Sequence, residues 1–347
     1  MSRALVISGG GSKGAFAVGV IKRLKSTFPG LDFDIYVGTS TGSLIIPFAA
    51  MGELDKLENL YTTLTTEDIV LAGRLVDRLS THSIFDASPL WDLIKTNYTD
   101  DQYTAMLGSG KKLFFTTTCL QTGDSVVFTT EKNPAVSKNY KVQTLTGADH
   151  FRKAVMASGC QPVFMPPIKV NLHVPDEPNP NYEFVDGGVR EYAGVQMAID
   201  NGATEIFTIL LSSGKEAPID HDLTDLFSIL QTTIDIFTDD VSKNDLIIPG
   251  QYNLALQYID AVKTKMKLSG LTQAQVTEFF HTPGLENPFE DKVPLKLYII
   301  HPDAPLGGGA GGLTFEPAAQ KVMVQKGESA GDDFIASLDP ADTSSWA

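Results

Sequence analysis

The stretch RALVISGGGSKGAFAVGVIKRL, from Arg3 to Leu24, joins a short apolar run, a glycine-rich loop and a helical pattern. Ala4 to Ile7 predicts a buried strand, and apolar residues recur at helical spacing from Ala15 onwards. The backbone N–H groups of such a loop suit three partners: a dinucleotide pyrophosphate, a nucleoside triphosphate, or the oxyanion that forms when an ester carbonyl is attacked. Each partner indicates a different class of enzyme.

The first two partners fit the loop poorly. A triphosphate loop needs lysine after a glycine and before Ser or Thr, whereas Lys13 follows Ser12 and precedes Gly14. Gly9, Gly11 and Gly14 do satisfy the dinucleotide pattern GxGxxG. That pattern also requires an acidic residue at the end of the second strand, where this sequence has GTSTG instead. A Rossmann-type oxidoreductase therefore stays only a distant alternative.

The segment GTSTG, from Gly38 to Gly42, follows a second strand candidate, Phe33 to Val37, and precedes an apolar helical run. It matches GxSxG, in which a serine occupies a strained turn between strand and helix at the carboxyl edge of the sheet. Gly38 and Gly42 allow such a turn to close without Cβ clashes. Ser40 is therefore the candidate nucleophile, and the first glycine loop is the candidate oxyanion site.

A serine nucleophile needs a base. None of the six histidines carries a neighbouring motif, and His301, which ends a strand, is interpreted as structural. Asp186, in FVDGG, ends another apolar strand, and Gly187 and Gly188 leave space around it. An aspartate in that position accepts the Ser40 proton directly, which predicts a two-residue Ser-Asp dyad.

Strand and helix signals alternate along the chain, which predicts an α/β fold with a mostly parallel sheet and helices on both faces. The stretch KKLFFTTTCLQTGDSVVFTT, from Lys111 to Thr130, predicts a hairpin instead. From 217 to 288 the sequence changes to amphipathic helical segments, which predict a helical elaboration serving as a lid or as outer packing. We expect a single domain over residues 1–347.

Composition restricts the partners. The net charge of −15 over 347 residues disfavours nucleic acid and repels an anionic bilayer, so any contact with a membrane must rely on apolar surface. Neither a signal peptide nor a bilayer-spanning segment is evident, which predicts a cytoplasmic protein. The two cysteines are far apart, so they do not indicate a metal site. No organic cofactor is expected either.

Two groups of apolar residues are interpreted as ordinary packing. Leu44 and Phe48, in the run after GTSTG, are predicted to lie in the core rather than in an acyl pocket. The helices after Ala217 are amphipathic enough for transient contact with a membrane surface, although their aspartates, including Asp239 and Asp240, favour solvated faces.

Four short motifs, GGGSKG, GTSTG, ASGCQP and DGG, occur in this order and resemble the patatin-like phospholipase family over roughly Arg3 to Leu211. The resemblance implies a three-layer α/β/α fold. It also implies a serine acyl hydrolase that cleaves fatty-acyl esters of lipids, of the phospholipase A or lysophospholipase type. Its partner would be a lipid ester substrate.

The same resemblance assigns roles to single residues. Ser40 matches the family's nucleophile and Asp186 its base, while Lys13 stands where the family has Arg or Lys. Lys13 and its neighbour Gly14 are given supporting roles, as are Gly38, Gly42, Gly187 and Gly188. The loop whose amides stabilise the oxyanion is matched by Gly9, Gly10 and Gly11.

The chain also departs from the family pattern. Ser43 replaces a second glycine after the turn, and Cys160 replaces an alanine. Tyr192 and Gly194 stand where Asn and Pro often follow the DGG turn. The departures after DGG leave a non-catalytic lipid-binding descendant open as an alternative. An acyltransferase that uses the same dyad is a second alternative.

Overall fold

The computed structural model describes residues 2–73, 82–171, 181–213, 222–224, 226–285, 287, 289, 292–339, 343 and 346. The bounds predicted for the helical elaboration, Ala217 and Pro288, lie outside these residues. The assignment of the whole chain to one domain stays a prediction.

Most of the described strands belong to one sheet, and two short ones form a separate ribbon. In chain order they are β1 (Arg3–Ile7), β2 (Ile35–Thr39), β3 (Leu71–Ala72), β4 (Phe85–Asp86), β5 (Lys112–Cys119), β6 (Ser125–Thr129), β7 (Lys141–Thr144), β8 (Ile168–Asn171), β9 (Asn181–Asp186), β10 (Glu205–Ile209) and β11 (Lys296–Ile300).

The large sheet has the strand order β11-β10-β1-β2-β5-β6-β7, while β3 pairs only with β4. Neighbours from β11 to β5 are parallel, which confirms the predicted, mostly parallel central sheet. Strands β5 and β6 are antiparallel and form the predicted hairpin. Strand β9 is antiparallel to both β5 and β8, a pairing that the alternating pattern did not predict.

Helices cover both faces of this sheet. In chain order they are α1 (Gly14–Thr27), α2 (Thr41–Met51), α3 (Leu54–Thr63), α4 (Ser88–Asn97), α5 (Asp100–Gly108), α6 (Ala148–Gly159), α7 (Val195–Asp200), α8 (Leu226–Leu268), α9 (Gln273–Phe279) and α10 (Pro317–Ser337).

The side chains of β1 point alternately into two hydrophobic cores, one on each face of the sheet, because successive side chains of a strand point to opposite faces. Leu5 and Ile7 pack with residues of α1, α2 and α10. Ala4 and Val6 pack with residues of α7, and Leu246 of α8 adds to that second core. The sheet is therefore the middle of three layers, in agreement with the expected α/β/α arrangement.

The helical elaboration is more continuous than its sequence indicates. Helix α8 runs for 43 residues and contains Pro249 within it. Proline removes one backbone N–H from a helix, but the helix continues past it. Within the described ranges, none of the helices combines the length and the apolar character needed to cross a bilayer.

Candidate active site

The strand register brings the two predicted catalytic side chains together. Thr39, the last residue of β2, is opposite Thr116 of β5, and Asp186, the last residue of β9, is opposite the next β5 residue, Thr117. Strand β6 occupies the other edge of β5 along this stretch, so β2 and β9 meet end to end on the same edge. Ser40, directly after Thr39, therefore lies beside Asp186.

Ser40 occupies a strained turn between β2 and α2. Its φ of 54° is in the left-handed region, which residues other than glycine adopt at a cost of about 1–3 kcal/mol. The turn is also tight: a Cβ at Gly38 would lie 2.5 Å from the backbone N of Ser43, and one at Gly42 would overlap the carbonyl O of Ile7. Both glycines are thus needed for the close approach of β1, β2 and α2.

A buried hydroxyl pair holds this turn from behind. The backbone N–H of Ser40 donates to Ser158 Oγ at 3.0 Å, and the Oγ atoms of Ser158 and Ser43 are 2.7 Å apart. Ser43 Oγ also donates to the carbonyl O of Gly38 at 2.7 Å. The departure at Ser43 therefore supplies hydrogen bonds that a glycine lacks. The sequence analysis did not single out Ser158, although it lies in the quoted ASGCQP motif.

Asp186 is buried at the end of β9. Its Oδ1 accepts the N–H of Gly188 at 2.7 Å, and its own N–H donates to the carbonyl O of Cys160 at 2.8 Å. Burial raises the pKa of the Asp186 carboxyl to about 6, against the lowering effects of a hydrogen bond from the Ser40 side chain and one from the Gly188 N–H. A Cβ at Gly187 would overlap Thr116 Oγ1, so the turn after Asp186 packs directly on β5.

The first glycine loop lines the same site. The N–H of Gly9 donates to the carbonyl O of Tyr192 at 3.4 Å, whereas the N–H groups of Gly10 and Gly11 make no hydrogen bond within the described part of the chain. Gly10 and Gly11 therefore have amides available for an oxyanion. The backbone of Gly312, in a second glycine loop before α10, packs directly on them.

The supporting residues Lys13 and Gly14 lie at the start of α1. Lys13 is among the residues that line the cavity at Ser40. A Cβ at Gly14 would lie 2.6 Å from the Tyr61 hydroxyl and 2.8 Å from Thr41 Oγ1, so α1 begins close to α2 and α3. The glycine at this position thus permits close packing.

A cavity of about 300 Å³ opens from Ser40 and Asp186 between α2, α3 and α4. Phe48 lies in the core and Leu44 packs against it, as predicted, but both also line the cavity, because one side of their buried helix faces it. No histidine lines the cavity among the described residues, and His301 Nδ1 lies 3.1 Å from the carbonyl O of Pro302. The apolar side chains along the cavity include Leu44, Phe48, Leu57, Leu60, Leu64, Ile69, Leu90, Leu93, Ile94 and Met165.

The segment after the DGG turn is held in a way that the sequence did not indicate. Asp245 Oδ2, from α8, accepts the backbone N–H of Tyr192 at 2.6 Å and that of Ala193 at 3.1 Å. Gly194 follows with a φ of 62°, which proline cannot adopt. Where the chain departs from the family pattern, at Tyr192 and Gly194, its backbone therefore follows a path that hydrogen bonds to α8 hold in place. No short motif surrounds Asp245 that would have revealed this contact.

Helix α8 has two contrasting faces. Ile234, Thr238 and Ser242 line the cavity, whereas the surface turned away from the cavity carries apolar residues that are between 46% and 85% exposed. Asp240 is exposed, as expected from the sequence, so acidic and apolar side chains share the solvent-facing surface of α8. The exposed apolar residues are Ile229, Ile236, Phe237, Ile247, Ile248, Leu254, Tyr258 and Leu268.

Comparison with known proteins identifies the family to which this fold belongs. A family model described as patatin-like phospholipase matches residues 5–199, more than half of the chain. The chain belongs to the patatin-like phospholipase family, which confirms the resemblance drawn from the motifs. Membership supports lipid acyl hydrolase activity in general.

Individual relatives match less of the molecule. A cUMP-AMP-activated phospholipase of Escherichia coli is 40% identical over 65 residues, which are 17% of this chain and 20% of that protein. The chain thus matches only about a fifth of that relative's length. The crystal structure of VipD from Legionella pneumophila aligns with a TM-score of 0.46 and 11% identity, over 97% of this chain and 67% of that one.

Proposed function

We propose that this protein is a serine acyl hydrolase of the phospholipase A or lysophospholipase type, with Ser40 as nucleophile and Asp186 as base. The observation that carries the proposal is the meeting of β2 and β9 on one edge of β5, which joins a serine in a strained turn to a buried aspartate. The apolar cavity beside them is suited to a fatty-acyl chain.

The reaction follows from the positions of these groups. Asp186 accepts the hydroxyl proton as Ser40 Oγ attacks the ester carbonyl carbon, and the N–H groups of Gly10 and Gly11 stabilise the oxyanion. The intermediate collapses to an acyl-enzyme as the alcohol leaves with the proton from Asp186. Asp186 then deprotonates a water molecule that attacks the acyl carbonyl. As the bond to Ser40 breaks and the fatty acid departs, Asp186 returns that proton to Ser40 Oγ, which restores both residues. The residues carry out every step without a metal or organic cofactor.

Product analysis tests this proposal against its two alternatives. Phospholipid, lysophospholipid and neutral ester are each incubated with the protein, with and without an added alcohol acceptor. We expect free fatty acid in every productive case, and nearly complete loss of product with Ser40→Ala. Acylated acceptor in place of fatty acid would favour an acyltransferase. Lipid binding without any product would favour a non-catalytic descendant.

Transient contact with a membrane surface belongs to the same proposal. It is supported by the exposed apolar face of α8, because Ile229, Ile236, Ile247 and Leu254 recur at intervals of seven and eleven residues and so lie along one side of the helix. The opposite side of α8 lines the cavity. A lipid surface that contacts the outer face would therefore be close to the catalytic cavity. A cytoplasmic location and the absence of a nucleic-acid partner stay predictions.

A further inference from the structure

Asp245 connects a helix outside the matched family region to the active site. It belongs to α8, and its Oδ2 accepts two successive backbone N–H groups, those of Tyr192 at 2.6 Å and Ala193 at 3.1 Å. Tyr192 lines the catalytic cavity and follows Asp186 by six positions. A carboxylate that accepts two adjacent amides fixes the position of that short segment more firmly than one neutral hydrogen bond.

The same segment contacts the glycine loop. The carbonyl O of Tyr192 accepts the N–H of Gly9 at 3.4 Å, and the Tyr192 ring lies 3.3 Å from the point that a Cβ of Gly9 would occupy. Gly9 immediately precedes Gly10 and Gly11, whose amides are available for the oxyanion. A continuous series of contacts therefore runs from Asp245 through Tyr192 to the loop that stabilises charge in the reaction.

Asp245 accepts these two hydrogen bonds while it is buried close to a second acidic residue, Glu191. Burial raises the pKa of both Asp245 and Glu191, and the negative charge of Asp245 raises that of Glu191 further. The N–H groups of Tyr192 and Ala193 oppose the rise at Asp245. Loss of the acceptor would leave these amides unsatisfied in the protein interior, a penalty of about 1–3 kcal/mol for each group. We therefore expect the segment that contains Tyr192 and Ala193 to move when this acceptor is lost.

We propose that Asp245 is a positioning residue for the oxyanion loop, acting through the backbone of Tyr192. The inference rests on the proposed function, since it names what holds Gly10 and Gly11 in register with Ser40. Helix α8 is then an integral part of the catalytic unit rather than outer packing.

The experiment compares three variants in steady-state hydrolysis of a soluble, short-chain ester. Asp245→Ala removes the acceptor and is expected to lower kcat by about 10- to 100-fold with KM within about threefold, because a displaced loop weakens stabilisation of the transition state. Asp245→Asn retains an acceptor oxygen and is expected to stay within about threefold of the parent kcat. Asp260→Ala removes an exposed carboxylate from the same helix and is the matched control, expected to match the parent.

Amide hydrogen exchange supplies a readout that does not depend on activity. In Asp245→Ala, the peptides that cover Gly9 and Tyr192 are expected to exchange faster than in the parent, while Asp260→Ala leaves both unchanged. If Asp245→Ala does not fold, Asp245→Glu makes the same test, since its extra methylene displaces the acceptor while keeping the charge. Failure of the proposed function would appear separately, as a parent protein that hydrolyses no ester.

Two results would overturn the inference. One is a folded Asp245→Ala, or Asp245→Glu in its place, whose kcat and exchange at both peptides equal those of the control. The other is an Asp245→Asn as impaired as Asp245→Ala, because the acceptor oxygen would then not be what matters.

Discussion

Asp186 illustrates, at the scale of one residue, a conflict between catalysis and stability. In its proposed role as base it must be ionised, yet its burial disfavours the ionised form and raises its pKa to about 6. Hydrogen bonds from Ser40 and Gly188 offset part of that effect. The site thus holds a carboxylate that is basic enough to accept a proton and still ionised near neutral pH.

The first prediction concerns the pH dependence of catalysis. Since only ionised Asp186 accepts the Ser40 proton, kcat/KM for a soluble ester is expected to rise about tenfold per pH unit below the pKa of about 6 and to level off above it. A profile measured on the parent protein from acidic to weakly alkaline pH checks this. A plateau that extends well below the pKa of the buried carboxyl would contradict Asp186 as the base.

The second prediction concerns stability. The folded-state pKa of Asp186, about 6, lies above the ordinary value of 3.8, so stability is lost as the pH rises between these values and stays lower above them. Asp186→Asn avoids the charge and keeps an acceptor for Gly188. Its unfolding free energy should exceed that of the parent by on the order of 3 kcal/mol at neutral pH.

The pH dependence of that difference provides the check. The gain from Asp186→Asn should shrink by about 1 kcal/mol between about pH 7.5 and about pH 5, measured by denaturant unfolding of both proteins. A gain independent of pH would indicate that the buried charge is not its source.

The site residues that the sequence predicts lie in short motifs. The site residues that it misses contact parts of the chain that are distant in sequence. Ser40 and its flanking glycines sit in one five-residue turn, and Gly9 to Gly11 lie in one loop, so short motifs reveal them. Ser158 and Asp245 act on backbone amides 118 and 53 positions away, respectively, and no local pattern encodes those contacts. Leu44 and Phe48 were assigned only to the core because apolar spacing indicates burial, not whether the neighbour is protein or cavity.

At the scale of elements, α1 and α10 pack against each other at very short range. A Cβ at Gly19 would overlap the carbonyl O of Val324, and one at Gly327 would overlap the carbonyl O of Phe16. The two helices therefore pack backbone against backbone at these glycines. Because α1 begins directly after the glycine loop, α10 supports the site from beneath.

The third prediction tests this contact. Gly327→Ala forces α1 and α10 apart and should lower the unfolding free energy by about 1–3 kcal/mol, despite the better helix propensity of alanine. Gly250→Ala is the matched control: it lies in α8 with no neighbour close to its added Cβ, so a gain of about 0.5–1 kcal/mol is expected. Equal effects in the two variants, measured by denaturant unfolding, would contradict the close packing.

Local sequence patterns predicted most of the strands and helices, but they did not predict which distant strands pair with each other. The hairpin of β5 and β6 and the strand–loop–helix of β1 and α1 each lie within a short stretch of chain. The antiparallel register of β9 on β5 depends on residues far apart in sequence, so alternation alone could not indicate it. The continuity of α8 past Pro249 was hidden for a different reason, since proline ordinarily signals a break.

At the scale of the whole molecule, charge and apolar surface act against each other. The net charge of −15 repels an anionic membrane, while the exposed face of α8 favours insertion of apolar side chains at a lipid surface. The sequence motifs predicted the α/β class, and the composition indicated the charge balance. The sequence indicated amphipathic helices after Ala217, but the aspartates of that region favoured solvated faces, so the extent of the exposed apolar surface went unpredicted.

The fourth prediction follows from that balance. At low salt the protein should partition more strongly to phosphatidylcholine vesicles than to vesicles rich in phosphatidylglycerol, and added salt should narrow the difference by screening. Replacing Ile236 and Phe237 by serine should lower partitioning by at least about tenfold. Val136→Ser, at an exposed valine outside α8, is the control and should have no effect. Stronger binding to the anionic vesicles would contradict the account.

The central claim, that Ser40 is an activated nucleophile, is tested most directly by intact-mass analysis after incubation with a fluorophosphonate. We expect a single adduct on the parent protein, mapped to the Ser40 peptide and absent from Ser40→Ala. Folded parent protein that takes no adduct, or an adduct that persists in Ser40→Ala, would contradict it.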